Sequence, residues 1–255
     1  MIKAVFFDID GTLLSSRTHQ VLPGTIAAFK ELQSKGIKTF VSSGRPKILI
    51  PNMPLHFDGY ITVNGGYCIV SDSVLYSNAI KPEVCKRWIE YVEKNNMTTM
   101  CFTAHEMFIN KIDPVAVALR DQLGFEMPPM RPLDEMKDKE VYQFIALQPA
   151  EKDKEVLALL GDCRLPRWHP VFTDLIPDGS SKAVGIGKIL DHFGLTTNEA
   201  MAFGDGANDI EMLDYVGCSV AMGNAADIVK RHATFVTGDA DSEGIRDALK
   251  RLQII

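Results

Sequence analysis

The chain has 255 residues, an apolar content of 46% and a formal net charge of −6; the length suits one large domain, or a core with an inserted module, and allows a sizeable buried core. The acidic balance argues against a nucleic-acid partner, which would need a basic face, and no apolar run approaches the ~20 residues that span a bilayer, so no membrane partner is expected. The five cysteines are scattered, odd in number and without C-x-x-C spacing, which argues against a disulfide framework or zinc site; with no signal-peptide pattern at the N-terminus, the expected location is cytoplasmic.

Residues 2–7 form a short continuous apolar run, the pattern of a central parallel strand covered on both faces. It runs into Asp8-Ile9-Asp10-Gly11-Thr12. Residues 23–35 predict a helix, with Ile26, Phe29, Lys30 and Gln33 at helical spacing and Gly36 as its stop. Residues 37–42 predict a strand ending at Ser43-Gly44-Arg45. Residues 60–63 predict another, ending at Asn64-Gly65-Gly66, and residues 67–76 a small hairpin. Strand, helix, strand is the opening of a doubly wound, mostly parallel α/β domain.

From residue 79 the texture changes. Residues 82–95 predict an amphipathic helix with Val84, Trp88, Tyr91 and Val92 on one face. Paired strands (98–103 and 106–111), a helix (113–123), a proline-rich loop (127–132), a strand (141–148) and a helix (150–160) follow, and two short strands flank Pro170. This reads as an inserted α+β module of roughly a hundred residues. The expected division is a core domain of residues 1–78 and 177–255, with residues 79–176 as a cap. At Pro177 the α/β rhythm returns. Ser180-Ser181-Lys182 opens a helix stopped by Gly194, and residues 200–204 predict a strand that delivers Gly204-Asp205-Gly206-Ala207-Asn208-Asp209. Residues 209–215 predict a helix, 219–222 a strand, 235–236 a last short strand, and 243–252 a closing helix.

Asp8, Ser43 and Asp205 each fall at the C-terminal end of a predicted core strand. Open α/β sheets bind ligands outside those ends. Side chains two apart on a strand face the same side, so Asp8 and Asp10 overhang one edge together. A nucleophilic aspartate beside a proton-handling one suits that placement, and Asp205 with Asp209 reads as the other half of a magnesium site. Taken singly, each feature has an ordinary reading: acidic pairs are commonly solvated, Asp caps helices, Ser43 serves a turn, and Lys182 in a first helical turn faces water. Their convergence from distant parts of the chain favours chemistry.

Together these residues resemble the haloacid dehalogenase superfamily of aspartate-nucleophile phosphatases. The resemblance covers nearly the whole chain through four motifs: Asp8 to Thr12, Ser43-Gly44-Arg45, Lys182, and Gly204 to Asp209. Asn64-Gly65-Gly66 and the large insert are similar to the Cof-type branch, which includes sugar-phosphate phosphatases with an α/β cap. The resemblance implies that Asp8 is the nucleophile, forming an aspartyl-phosphate, and that Asp10 is acid and then base. It implies Mg²⁺ held by Asp8, the Asp10 backbone carbonyl and Asp205, and a phosphoryl group bound by Ser43, Gly44, Lys182 and Asn208. Asp209 is expected to orient Lys182 or a metal-bound water, with Arg45 and Asn64 in support. Ser43 stands where threonine is frequent, and both supply a hydroxyl. Asp10 stands where the related ion-pumping ATPases have threonine and a long-lived phosphoenzyme, so a carboxylate there favours rapid hydrolysis.

The resulting expectation is a Mg²⁺-dependent phosphomonoester hydrolase acting on small phosphorylated metabolites, hexose phosphates foremost, as a monomer or small homo-oligomer. A phosphosugar mutase and a non-enzymatic phosphate-binding or phospho-acceptor protein are the alternatives. Substrate choice is expected in the cap, at Trp168, His169 and Asp174, where an aromatic and polar groups suit a sugar face; the competing reading makes Trp168 cap core and His169 a surface residue.

Overall fold

The computed structural model describes residues 1–167 and 169–255. In chain order, β1 (Ala4–Phe7), α1 (Pro23–Ser34), β2 (Lys38–Ser42) and β3 (Gly59–Thr62) precede a hairpin of β4 (Tyr67–Val70) and β5 (Ser73–Ser77). There follow α2 (Pro82–Lys94), β6 (Thr99–Phe102), β7 (Met107–Ile109), α3 (Pro114–Leu123), β8 (Gln143–Leu147), α4 (Asp153–Leu160), β9 (Cys163–Arg164) and β10 (Phe172–Pro177). The chain closes with α5 (Lys182–Phe193), β11 (Ala200–Gly204), α6 (Ile210–Tyr215), β12 (Cys218–Ala221), α7 (Asp227–Lys230), β13 (Phe235–Val236) and α8 (Gly244–Arg251). It divides into two compact units. One comprises Met1–Arg45, Leu49–Ser77 and Ser181–Ile255; the other comprises Pro46–Ile48 and Asn78–Ser180. Among the described residues no helix is long and apolar enough to cross a membrane.

The first unit is built on an eight-stranded sheet, β13-β12-β11-β1-β2-β3-β4-β5. Pairing is parallel from β13 to β3 and antiparallel through β4 and β5. Alternation along the central strands feeds two cores. Val5 and Phe7 of β1, Val41 of β2 and Met201 and Phe203 of β11 join Ala28, Phe29 and Leu32 of α1 and Ile245 and Leu249 of α8. Ala4, Phe6, Phe40, Ala200 and Ala202 point the other way, onto Ile186, Ile189 and Leu190 of α5 and Met212 and Leu213 of α6. Both faces of β1 are therefore dry, which is why its sequence is apolar without alternation.

On α1 the buried stripe is Thr25, Ala28, Phe29 and Leu32, not the expected face; Lys30 and Gln33 are exposed. The helix turns so that Phe29 meets Phe7, ring centroids 4.7 Å apart, and apolar burial overrides a count of spacings. Helix α5 starts at Ser181, whose hydroxyl accepts a hydrogen bond from the Val184 amide at 3.3 Å, and stops at Gly194, where φ is +63°.

The second unit is a five-stranded antiparallel sheet, β7-β6-β8-β10-β9. Cys101, Phe144, Ala146 and Leu175 on one of its faces pack with Val84, Trp88 and Val92 of α2 and Val156 and Leu160 of α4. The indole N–H of Trp88 donates to Thr99 Oγ1 at 3.3 Å. After Pro170 the chain forms a six-residue strand buried along its length rather than a short one, because β10 pairs with both β8 and β9.

Candidate active site

Strands β11, β1 and β2 are neighbours at the centre of the first sheet. Their C-terminal ends release Asp205, Asp8 and Ser43 side by side. Asp8 stays tied to this register, its amide donating to the Phe203 carbonyl at 3.0 Å. Gly11 has a φ of +78°, and a Cβ there would lie 2.2 Å from Asp205 Oδ2. Only glycine lets the loop after β1 approach that carboxylate so closely.

Lys182 enters from the first turn of α5. The carbonyl of Ser181 abuts Gly65, where an added Cβ would sit 1.9 Å from it; the backbone of the Asn64-Gly65-Gly66 turn thus presses on the start of the helix. The Lys182 ammonium is fully buried. It donates to Asp8 Oδ1 at 2.6 Å and to Asp209 Oδ1 at 2.5 Å. The other oxygen of Asp209 accepts the amides of Asp205 and Gly206, at 2.9 and 2.8 Å. Asp209 therefore holds both the lysine and the loop that carries Asp205.

Ser43 is buried, its Oγ accepting the Arg45 amide at 3.1 Å. A Cβ on Gly44 would lie 3.1 Å from Asn64 Oδ1, and Asn208 Nδ2 donates to that same oxygen at 3.2 Å. Asn64 is buried with φ of +53°, and Val63 before it has φ of +45°. A β-branched residue in this region is strained by about 1–3 kcal/mol, a cost that clusters at functional turns. Asp10, by contrast, turns its carboxylate to the Arg45 guanidinium, with Nε to Oδ2 at 2.8 Å and Nη2 to Oδ1 at 2.7 Å.

Two further residues contribute, Thr12 from within the first motif but with no role expected of it, and Asn224 from outside all four motifs. Thr12 Oγ1 donates to Asp205 Oδ1 at 2.8 Å. Asn224 Nδ2 donates to Asp205 Oδ2 at 3.2 Å and to the Gly11 carbonyl at 2.9 Å. Asn224 follows β12, the next strand in the sheet, so the strand-end rule that found Asp205 would also have found it.

The electrostatics show an excess of negative charge. Burial pushes the Asp8 carboxyl well above the usual carboxylate range, against the pull of Lys182, with Asp209 and Asp205 adding repulsion. Burial works to lower Lys182, but Asp209 and Asp8 outweigh it and its ammonium is held. Burial raises Asp205 to about 6 despite the Thr12 hydrogen bond. Three carboxylates thus crowd one ammonium, and the cluster retains protons that a dication would displace. Carboxylate oxygens of Asp8, Asp205 and Asp209 all lie within 4.8 Å of one another. Hard oxygen donors with surplus charge fit Mg²⁺. Asp8, Asp205 and Asp209 could each offer a carboxylate oxygen to such an ion.

The cap candidates lie in the second unit. The His169 ring stacks on Phe172 with centroids 4.9 Å apart, and its Nδ1 accepts the Val171 amide at 3.3 Å. Asp174 is buried on β10 opposite Ile145. Trp168 lies outside the described residues. Arg167, beside it, spans Asp153 (Nε to Oδ2 2.8 Å, Nη2 to Oδ1 2.6 Å) and the carbonyls of His169, Pro170 and Phe172; its donors are committed to holding this loop.

A family model described as haloacid dehalogenase-like hydrolase matches residues 5–249. YkrA of Bacillus subtilis (strain 168), whose name places it among the phosphatases, is 31% identical over 257 residues, covering 99% of this chain and 98% of its own. The structure of a sugar phosphatase of HAD subclass IIB, BT4131, aligns with a TM-score of 0.89 at 38% identity, over 99% of this chain and 100% of that one. BT1666 from Bacteroides thetaiotaomicron, described among the phosphatases of the same superfamily, aligns with a TM-score of 0.92 at 34% identity, over 100% and 96% of the two chains.

Proposed function

The chain belongs to the haloacid dehalogenase-like hydrolases and is a phosphatase; on that premise we propose that it is a magnesium-dependent phosphomonoester hydrolase acting on small phosphorylated metabolites, sugar phosphates foremost, through phosphorylation of Asp8. The observation that carries the proposal is the buried Asp8–Lys182–Asp209 bridge at the end of the central strand. A lysine buried between two carboxylates adds little stability for its desolvation. It does orient one carboxylate oxygen of Asp8 and leave the other for attack.

Asp8 attacks phosphorus, and its carboxylate oxygen replaces the leaving alcohol. Asp10 gives that alcohol its proton, then takes one from the water that splits the aspartyl-phosphate. Ser43 Oγ, the Gly44 amide, the Asn208 amide group and the Lys182 ammonium bind the equatorial oxygens of the phosphoryl group, where phosphoryl transfer gathers charge. Asp8, the Asp10 carbonyl and Asp205 would hold Mg²⁺, which when bound offsets the charge of the phosphate and the carboxylates. Thr12 and Asn224 keep Asp205 aimed. The second unit carries none of these motifs and is assigned the choice of leaving group, with His169 and Asp174 as its candidates. The sugar-phosphatase relative supports a sugar leaving group.

Asp8→Asn tests the reading. It should abolish phosphate release from p-nitrophenyl phosphate and from a panel of sugar phosphates while leaving the circular dichroism unchanged. A variant within tenfold of the parent would reject Asp8 as nucleophile.

A further inference from the structure

We propose that Arg45 is a positioning residue for Asp10 that serves the hydrolytic half of the reaction, holding the carboxylate where it deprotonates the water that clears Asp8. The inference rests on the aspartyl-phosphate reading above and adds to it a division of labour between the half-reactions.

Arg45 is fixed at four points. Nε and Nη2 form two parallel bonds to the oxygens of Asp10, and Nη1 donates to the Leu49 carbonyl at 3.0 Å. Its amide donates to Ser43 Oγ, and its carbonyl accepts the Val63 amide at 3.1 Å. The phosphate-binding serine, the strained Val63-Asn64 turn and the proton-handling aspartate are thereby linked through one residue. Fold stability does not account for the pair. Its side chains are 40% and 55% exposed, and an ion pair that exposed contributes little to stability. The same weakness makes the fork easy to open.

A two-pronged guanidinium recognises a carboxylate, since both oxygens must accept. A carboxyl O–H cannot face two N–H donors. In the first half-reaction the Asp8–phosphorus bond forms, the bond from phosphorus to the alcohol oxygen breaks, and the proton of Asp10 goes to that oxygen. Asp10 must then be a carboxyl, with at least one oxygen outside the fork. In the second half-reaction water oxygen bonds to phosphorus, the phosphorus–Asp8 bond breaks with its electron pair returning to Asp8, and the water proton goes to Asp10. That step begins with Asp10 as a carboxylate, the form the fork holds, and its remaining lone pairs stay free for water.

The test is rapid mixing of the full chain, with magnesium and p-nitrophenyl phosphate, for the parent, Arg45→Met and Arg45→Lys. p-Nitrophenolate departs without a proton, so the first half-reaction is spared. Arg45→Met should give a burst of p-nitrophenolate approaching one equivalent, more acid-quenched phosphoenzyme than the parent, and a steady rate reduced about tenfold or more, within the range of lost general-base help. Arg45→Lys keeps the charge without the fork and should fall between. A merely structural arginine would lower burst and steady rate together without extra phosphoenzyme, and that outcome, or a parental steady rate, overturns the proposal. If Arg45→Met fails to match the parent's thermal melt, Arg45→Lys carries the same criterion. A parent that never forms phosphoenzyme, with Asp8→Asn still active, would remove the underlying reading as well.

Discussion

Replacing Lys182 by methionine deletes the one cation in a buried cluster and keeps most of its volume. The ammonium is fully buried and bonded to Asp8 and Asp209 at 2.6 and 2.5 Å. Its loss leaves two buried carboxylates facing each other with Asp205 close by. Removing one partner of a buried ion pair costs about 3–5 kcal/mol, because the remaining charge has no compensation. For a chain of this size 1 kcal/mol moves the melting temperature by about 2–4 °C, so a fall on the order of 10 °C is expected in EDTA. Saturating magnesium should reduce the deficit, since a dication neutralises the same carboxylates. The double variant Lys182→Met/Asp209→Asn should recover part of the loss, with a coupling of about 0.5–3 kcal/mol between the two positions. Thermal melts of the parent, both single variants and the double variant, with and without magnesium, make the measurement. A single variant melting within about 2 °C of the parent in EDTA would refute the claim that this lysine balances the site.

Asp10→Asn should lose about 10²- to 10⁴-fold on sugar phosphates and less on p-nitrophenyl phosphate; equal losses on both, measured as kcat/KM, would deny it the acid role. Asp205, raised to about 6, binds an extra proton in the folded, metal-free protein, so it contributes stability that falls as pH climbs from its ordinary value toward 6 and is gone above. Magnesium must displace that proton. Its stabilisation of the melt should be full near about pH 8 and shrink as pH drops through about 6, and a pH-independent stabilisation would contradict the assignment of Asp205 as ligand. Gly11→Ala forces a side chain to a φ of +78° and into the Asp205 carboxylate; calorimetric titration should show weakened magnesium binding, whereas unchanged affinity would show the loop adapts.

The sheet was legible because its central strands are buried on both faces and two of them end at abrupt changes of chemistry, Phe7 to Asp8 and Gly204 to Asp205, while β2 runs out at the turn residues Ser43-Gly44-Arg45. Lys182 was legible because Ser181 caps the helix and fixes which residue opens it. The face of α1 was not, since Phe29 fits two overlapping helical stripes and contact with Phe7 decides between them. The Arg45–Asp10 fork was not legible either. The two residues lie on different loops, and their meeting depends on how the turn after β2 folds, with its anchor on Leu49. Arg167 precedes the expected recognition residues Trp168 and His169 in the chain, but its bonds to Asp153 and three carbonyls come from a loop shape that no local pattern encodes. Pro46–Ile48 also group with the second unit, a long-range association invisible to chain order.

The central claim is that the phosphoryl group passes through Asp8, and the most direct measurement is rapid acid quench of the magnesium-loaded enzyme during turnover, followed by mass spectrometry of its peptides. The account predicts a phosphoryl adduct on the peptide carrying Asp8, formed within the first turnover, absent from Asp8→Asn, and released as phosphate when the parent is chased with water. Turnover with no adduct at any time, or an adduct on another residue that persists in Asp8→Asn, would contradict it.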